Sequence, residues 1–171
     1  MAKFDESISA GTRAPLYSAE QRKRRDSSPW TLVQGVLAPL QFLVFIGSVF
    51  LVFRYLMTGE GLALATASIV LKTFVLYTIM VTGAIWEKVV FGKYLFADAF
   101  FWEDAFSMIV IALHTFYLFL LLASIGSPAL QLTVALAGYA AYVINAAQFI
   151  WKLRLARLQT AAPASAMEAA A

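Results

Sequence analysis

The chain has 171 residues, 61% hydrophobic and 13% charged, with a mean hydropathy of +0.76 and a net charge of +3. Soluble domains carry about 25% charged residues, so this composition excludes an ordinary water-soluble globule and points to a membrane. The absence of cysteine removes disulfides, Cys-ligated zinc, iron–sulfur clusters and thiol catalysis, and a single histidine removes a bis-His haem or a multi-His metal site within one chain.

Residues 1–29 are polar and mixed in charge and include the basic run "QRKRRD". They lack the apolar core of a secretory leader and read as a flexible basic cytoplasmic arm. A basic run just ahead of an apolar stretch is an orientation signal or an anionic-lipid contact, and no nucleic acid is expected as a partner. "SSPW" predicts a helix start, with Ser28 as N-cap and Pro29 at the first helical position.

Four apolar stretches follow, each matching the roughly 20 residues that a spanning helix needs. They predict helices over about 30–56, 62–90, 104–124 and 128–155. Pro39 is expected to kink the first. "TGEG" and "GSP" read as turns, residues 91–103 as an aromatic, partly charged connection, and the Ala-rich tail, 156–171, as disordered. The fold class expected is all-α, an integral membrane four-helix bundle with the lipid bilayer as its principal surroundings.

The arm holds six Lys and Arg, the connection around 87–104 two, and the segment from Lys152 onward three, whereas the other side has Arg54 alone. The positive-inside rule therefore places both termini in the cytoplasm. Trp30, Trp86, Trp102 and Trp151 all fall at that same boundary, where indole rings anchor.

Ionisable groups at membrane depth are functional candidates. Glu87 and Lys88 end the second span, and Glu103 and Asp104 begin the third, so these carboxylates are expected to meet on the cytoplasmic rim. A solvated rim favoured by the helix dipole accounts for Glu103 and Asp104 but not for Glu87 at a helix C-terminus. Carboxylates sharing a partly buried site would instead supply a proton donor near neutral pH. Glu103, Ser107, Val110 and His114 share one helix face. His114 reads either as an interhelical hydrogen-bonding group, to Asn145 or Gln148, or as a metal-pigment ligand or proton-relay member. Lys72 is expected to snorkel outward. Gln34, Gln41 and Ser48 form a polar stripe, as do Asn145 and Gln148; interhelical glue and a polar pocket explain them equally.

"SPWTLVQGVLAPLQFLVF", "VLYTIMVTGAIWEKVVFGKYLFADAFFWEDAFSM" and "ALHTFYL" closely resemble the vinyl bacteriochlorophyllide hydratase family of bacteriochlorophyll biosynthesis, over about residues 16–157. The resemblance implies addition of water across the ring A vinyl group of chlorophyllide or bacteriochlorophyllide to give a 1-hydroxyethyl group. It implies no cofactor, a bacterial inner or intracytoplasmic photosynthetic membrane, and other enzymes of the pathway as candidate partners.

Markovnikov hydration protonates the terminal vinyl carbon, and water attacks the delocalised cation left beside the macrocycle. An acid and a base within hydrogen-bonding reach suffice. Glu87 with Glu103 or Asp104 is the expected catalytic group. An aromatic pocket of Phe100, Phe101, Trp102 and Phe106 would take the macrocycle, unless these rings are an ordinary interfacial belt. Lys88, Lys93 or Lys152 would pair with the propionate, and His114 would hold the ring, by packing or as a ligand to the substrate's magnesium. A pigment-binding or assembly subunit without chemistry is the alternative. A transporter would want ionisable groups spread through the depth, or an inverted repeat.

The charge bias carries a test of topology. Reporter fusions at residues 59 and 126 should both report the non-cytoplasmic side. A cytoplasmic signal at either position overturns the span count or its orientation.

Overall fold

Local chemistry starts the helices where the sequence places caps. The computed structural model describes residues 16–168, with side chains through Arg157. The Ser18 hydroxyl accepts from the Gln21 N–H while the Gln21 side chain accepts from the Ser18 N–H, a capping box that starts α1 (Ala19–Ser27). Ser28 ends that helix and caps α2 (Pro29–Thr58), accepting from the Trp30 N–H with Pro29 at the first position. The arm expected to be flexible thus ends in a capped helix; residues 1–15 lie outside the described residues.

Gly59 closes α2 in the left-handed conformation, and Gly92 does the same for α3 (Leu62–Phe91). Next, α4 (Phe101–Leu122) starts at Phe101 rather than at 104. The last helix, α5 (Pro128–Glu168), continues past the expected boundary at 155. Side chains of the tail beyond Arg157, and residues 169–171 altogether, lie outside the described residues.

The described residues are helical and contain no strand. Helices α2 to α5 are each long and apolar enough to cross a membrane, which makes this a multi-pass membrane protein. A 30-residue helix such as α2 is ~45 Å long, more than the ~30 Å that a hydrocarbon core requires.

Lipid tails remove the hydrophobic drive between helices, leaving close packing and hydrogen bonds to hold them. The α2–α3 and α4–α5 hairpins are the main packed pairs. Ser48 and Tyr139 hydrogen-bond between α2 and α5, and the Phe45 ring lies 4.9 Å from that of Tyr142. Tyr77 and Thr115 join α3 to α4 at 2.7 Å. Val52, Ala65, Ile69, Val110 and Leu132 fill the core.

A second apolar cluster sits where α3 ends and α4 begins, at one rim of the bundle, with Tyr17, Val90 and Phe100 buried against Trp86, Phe91 and Phe149. Burial pushes the Tyr17 phenol above its usual range, opposed by the Arg25 guanidinium 4.7 Å from the ring.

At Gly138, α5 packs closely against α4: a Cβ there would lie 3.0 Å from two His114 ring atoms. Gly138→Leu should therefore lower thermal stability in detergent by about 1–3 kcal/mol through overpacking, and Gly138→Ala by less. A leucine variant with unchanged melting would mean that the two helices do not pack on this face.

Candidate active site

Two helix ends and the loop between them build the site. The C-terminal turn of α3 delivers Glu87, and the first turn of α4 delivers Glu103 and Asp104. All three carboxyls are buried, at 5%, 6% and 3% exposure, although they sit at the rim. The free amides and dipole at the start of α4 favour its two acids. Glu87 ends a helix, where the dipole opposes it, and its support comes from the loop instead.

That support is a pair of successive amides. The Phe96 N–H donates to Asp104 Oδ2 at 2.7 Å, and the Ala97 N–H donates to Glu87 Oε2 at 3.4 Å. Phe96 adopts φ 58°, a left-handed conformation unfavourable for a phenylalanine. The strain sits where the chain must turn one amide to each carboxyl, which is the usual location of such outliers in functional sites. The Glu87 and Asp104 carboxyls are themselves within hydrogen-bonding reach of each other.

Glu103 turns elsewhere and forms a part-buried ion pair with Lys152 of α5. The three expected carboxylates are thus brought to one rim but divided into a carboxyl–carboxyl pair and a carboxylate–lysine pair. Lys152 also lies 5.1 Å from the Phe100 ring.

The other expected residues separate. Lys88 donates to the Gly92 carbonyl at 2.9 Å and lies over Tyr94. Lys93 pairs with the exposed Asp98 at 3.2 Å. Phe101 and Trp102 project outward, 47% and 68% exposed. Phe100, expected in a pocket wall, is instead buried at the centre of the rim cluster, packed on Trp86, Phe91 and Phe149. Phe106 is half-buried.

Two cavities flank Lys152. A mainly apolar groove of about 530 Å³ on the α4–α5 face is lined by Glu103, Ile144, Gln148, Trp151 and Lys152. A rim cavity of about 460 Å³ is lined by Gln21, Phe91, Lys93, Ala97 and Lys152. One ammonium therefore stands at the junction of an apolar face and a polar one.

The stripe of Glu103, Ser107, Val110 and His114 does face inward, all four being buried. Within it, His114 is not brought to either cavity: its ring packs on Gly138, and Nδ1 is 2.8 Å from the Val110 carbonyl of its own helix. Asn145 does not reach it as expected but donates to Ser107 Oγ at 2.8 Å. Lys72 does not snorkel; it is wholly buried, with Nζ 3.9 Å from the centre of the Tyr142 ring. Sequence reasoning passed over Tyr139 and Tyr142. Their i, i+3 spacing with Asn145 on one face of α5 was the available signal.

The chain is similar to named proteins over most of its length. A family model described as 2-vinyl bacteriochlorophyllide hydratase matches residues 17–155. A protein of that name from Cereibacter sphaeroides is 71% identical over 144 residues, covering 84% of this chain and 89% of its own. One from Rhodobacter capsulatus is 66% identical over 151 residues, covering 88% of this chain and 87% of its own. No solved structure matches.

Proposed function

Since the chain belongs to the 2-vinyl bacteriochlorophyllide hydratase family, and is a hydro-lyase acting in bacteriochlorophyll biosynthesis, we propose that Glu87 and Asp104 are the acid–base pair of its vinyl hydration. The observation that carries this reading is their meeting at the rim, from two helices, with one loop amide on each. Two carboxyls within hydrogen-bonding reach hold a proton between them, because like charges at that distance repel. Asp104 has the shorter amide bond and is the better-supported carboxylate; Glu87, with the longer one, holds the proton.

Glu87 gives that proton to the terminal vinyl carbon as the C=C π bond breaks. Positive charge develops on the inner carbon and spreads into the macrocycle. A water oxygen bonds to that carbon, and its proton passes to the carboxylate pair, which regains its starting state. The net change is H and OH added across the double bond, with no oxidant or reductant.

The groove between α4 and α5 takes the flat macrocycle from the bilayer, with Trp151 and Ile144 against its face and Glu103 at its end. Lys93, whose partner Asp98 is exposed, and Lys152 face the rim cavity and receive the propionate there. Both termini lie on the cytoplasmic side, which puts this rim where the anionic carboxylate meets water.

Two experiments follow. Glu87→Gln should abolish hydration, at least about a hundredfold, while pigment still co-purifies, because a general acid contributes 10²–10⁴-fold. Undiminished turnover would remove Glu87 as the acid. Separately, esterifying the propionate should weaken binding far more than it slows bound substrate. Equal affinity for acid and ester would exclude pairing with the rim lysines.

A further inference from the structure

Above the carboxylates, a column of polar side chains runs into the bundle. Ser107, His114 and Lys72 are at most 1% exposed, and Asn145 is 9% exposed. Three atoms in this column have no hydrogen-bond partner among the described residues: Asn145 Oδ1, His114 Nε2 and Lys72 Nζ. Their chemistry is complementary. A carbonyl only accepts, so the Val110 oxygen 2.8 Å from His114 Nδ1 places a proton on that nitrogen and, in the neutral ring, leaves Nε2 an acceptor. The column thus offers two acceptors and one donor. The acceptors repel an anion, and the lysine repels a cation. A small ligand that both donates and accepts satisfies all three.

These groups are contiguous. Lys72 Nζ lies 3.9 Å from the Tyr142 ring centre and 5.7 Å from that of Tyr139, and the His114 ring is 5.8 Å from Tyr139. Asn145, one turn along α5 from Tyr142, donates to Ser107 Oγ at 2.8 Å. Ser107 in turn lies one helical turn from Asp104. From Asp104 to His114 the column spans ~15 Å of helix axis.

Resting on Glu87 and Asp104 as the reacting pair, we propose that this column binds a file of water molecules and supplies the water that the hydration consumes. Buried polar atoms nearly always have partners, and internal waters commonly provide them. The reaction sets a matching demand. Glu87 and Asp104 are buried and line neither cavity, so bulk water does not lie against them, while the column ends at Ser107 on the interior side. The terminal water adds its oxygen to the carbon and its proton to the carboxylate pair. The next water in the file takes its place.

Hydroxyl-radical footprinting of the detergent-solubilised full chain tests occupancy, because buried rings react when bound water lies beside them. Tyr142 and His114 should be labelled despite their burial, and Asn145→Leu should reduce that labelling. Ser107→Ala should lower turnover roughly tenfold, the scale of one hydrogen bond, with pigment affinity unchanged. Ser107→Thr, which keeps the hydroxyl, should restore turnover and guards against a folding artefact. Unlabelled rings would mean a dry column and overturn the proposal. Labelled rings with wild-type turnover in Ser107→Ala and Asn145→Leu would overturn the supply role. Failure of the rim assignment is distinguishable: a Glu87→Gln protein that still hydrates removes the destination of the water, whatever the labelling shows.

Discussion

The donation of two neighbouring loop amides to two buried carboxyls is the interaction on which the rim depends. Near a bilayer, neither an amide nor a carboxyl can be abandoned without cost, and each here meets the other's need. The loop after α3 is held down because Asp104 accepts from Phe96, and Glu87 tolerates a helix C-terminus because Ala97 donates to it. Phe100, three residues further on, is then drawn under the aromatic cluster and starts α4. Take away the two acceptors and the left-handed turn at Phe96 loses its reason to persist.

Lys152 gives the site its polarity. Its part-buried pair with Glu103 engages the third carboxyl, leaving Glu87 and Asp104 to face each other. Buried ion pairs gain little net stability, since desolvation offsets most of the attraction. The value of this one is positional: it puts a cation where the apolar groove and the rim cavity adjoin. An amphipathic pigment has the same division, an apolar plate with an acidic edge.

Much of this was legible in the residues. Hydropathy marked the four long helices, Ser28 and Pro29 marked the start of α2, and the spacing of Glu103, Ser107, Val110 and His114 marked a face that is in fact buried. What could not be read were relations between helices. Periodicity tells which side of a helix is polar but not the rotation of its neighbour, so Asn145 was matched to His114 and not to Ser107. Lys72 was judged by its long stem, which can snorkel from that depth; the tyrosines of α5 that hold it are about 70 residues away in the chain. Phe100 was grouped with Phe101 and Trp102 as an aromatic run, yet consecutive residues on a helix start point in different directions. The family resemblance supplied the reaction, which no spacing in the chain could have revealed.

The N-terminal segment also governs when the rim can exist. Tyr17 leaves the ribosome early, but its ring stacks on Phe91 at 5.7 Å and lies 6.5 Å from Phe100, which in turn stacks on Phe149 at 5.8 Å. The partners come from the end of α3, the loop after it and the last helix, so the cluster joins the beginning of the chain to its final span. Lys152, too, arrives only with α5. A nascent chain with three helices inserted therefore has all its rim carboxylates but neither their lysine nor their completed aromatic floor. Such an intermediate holds its carboxyls without the ion pair and ring packing that complete the rim, which forms only once α5 has been translated.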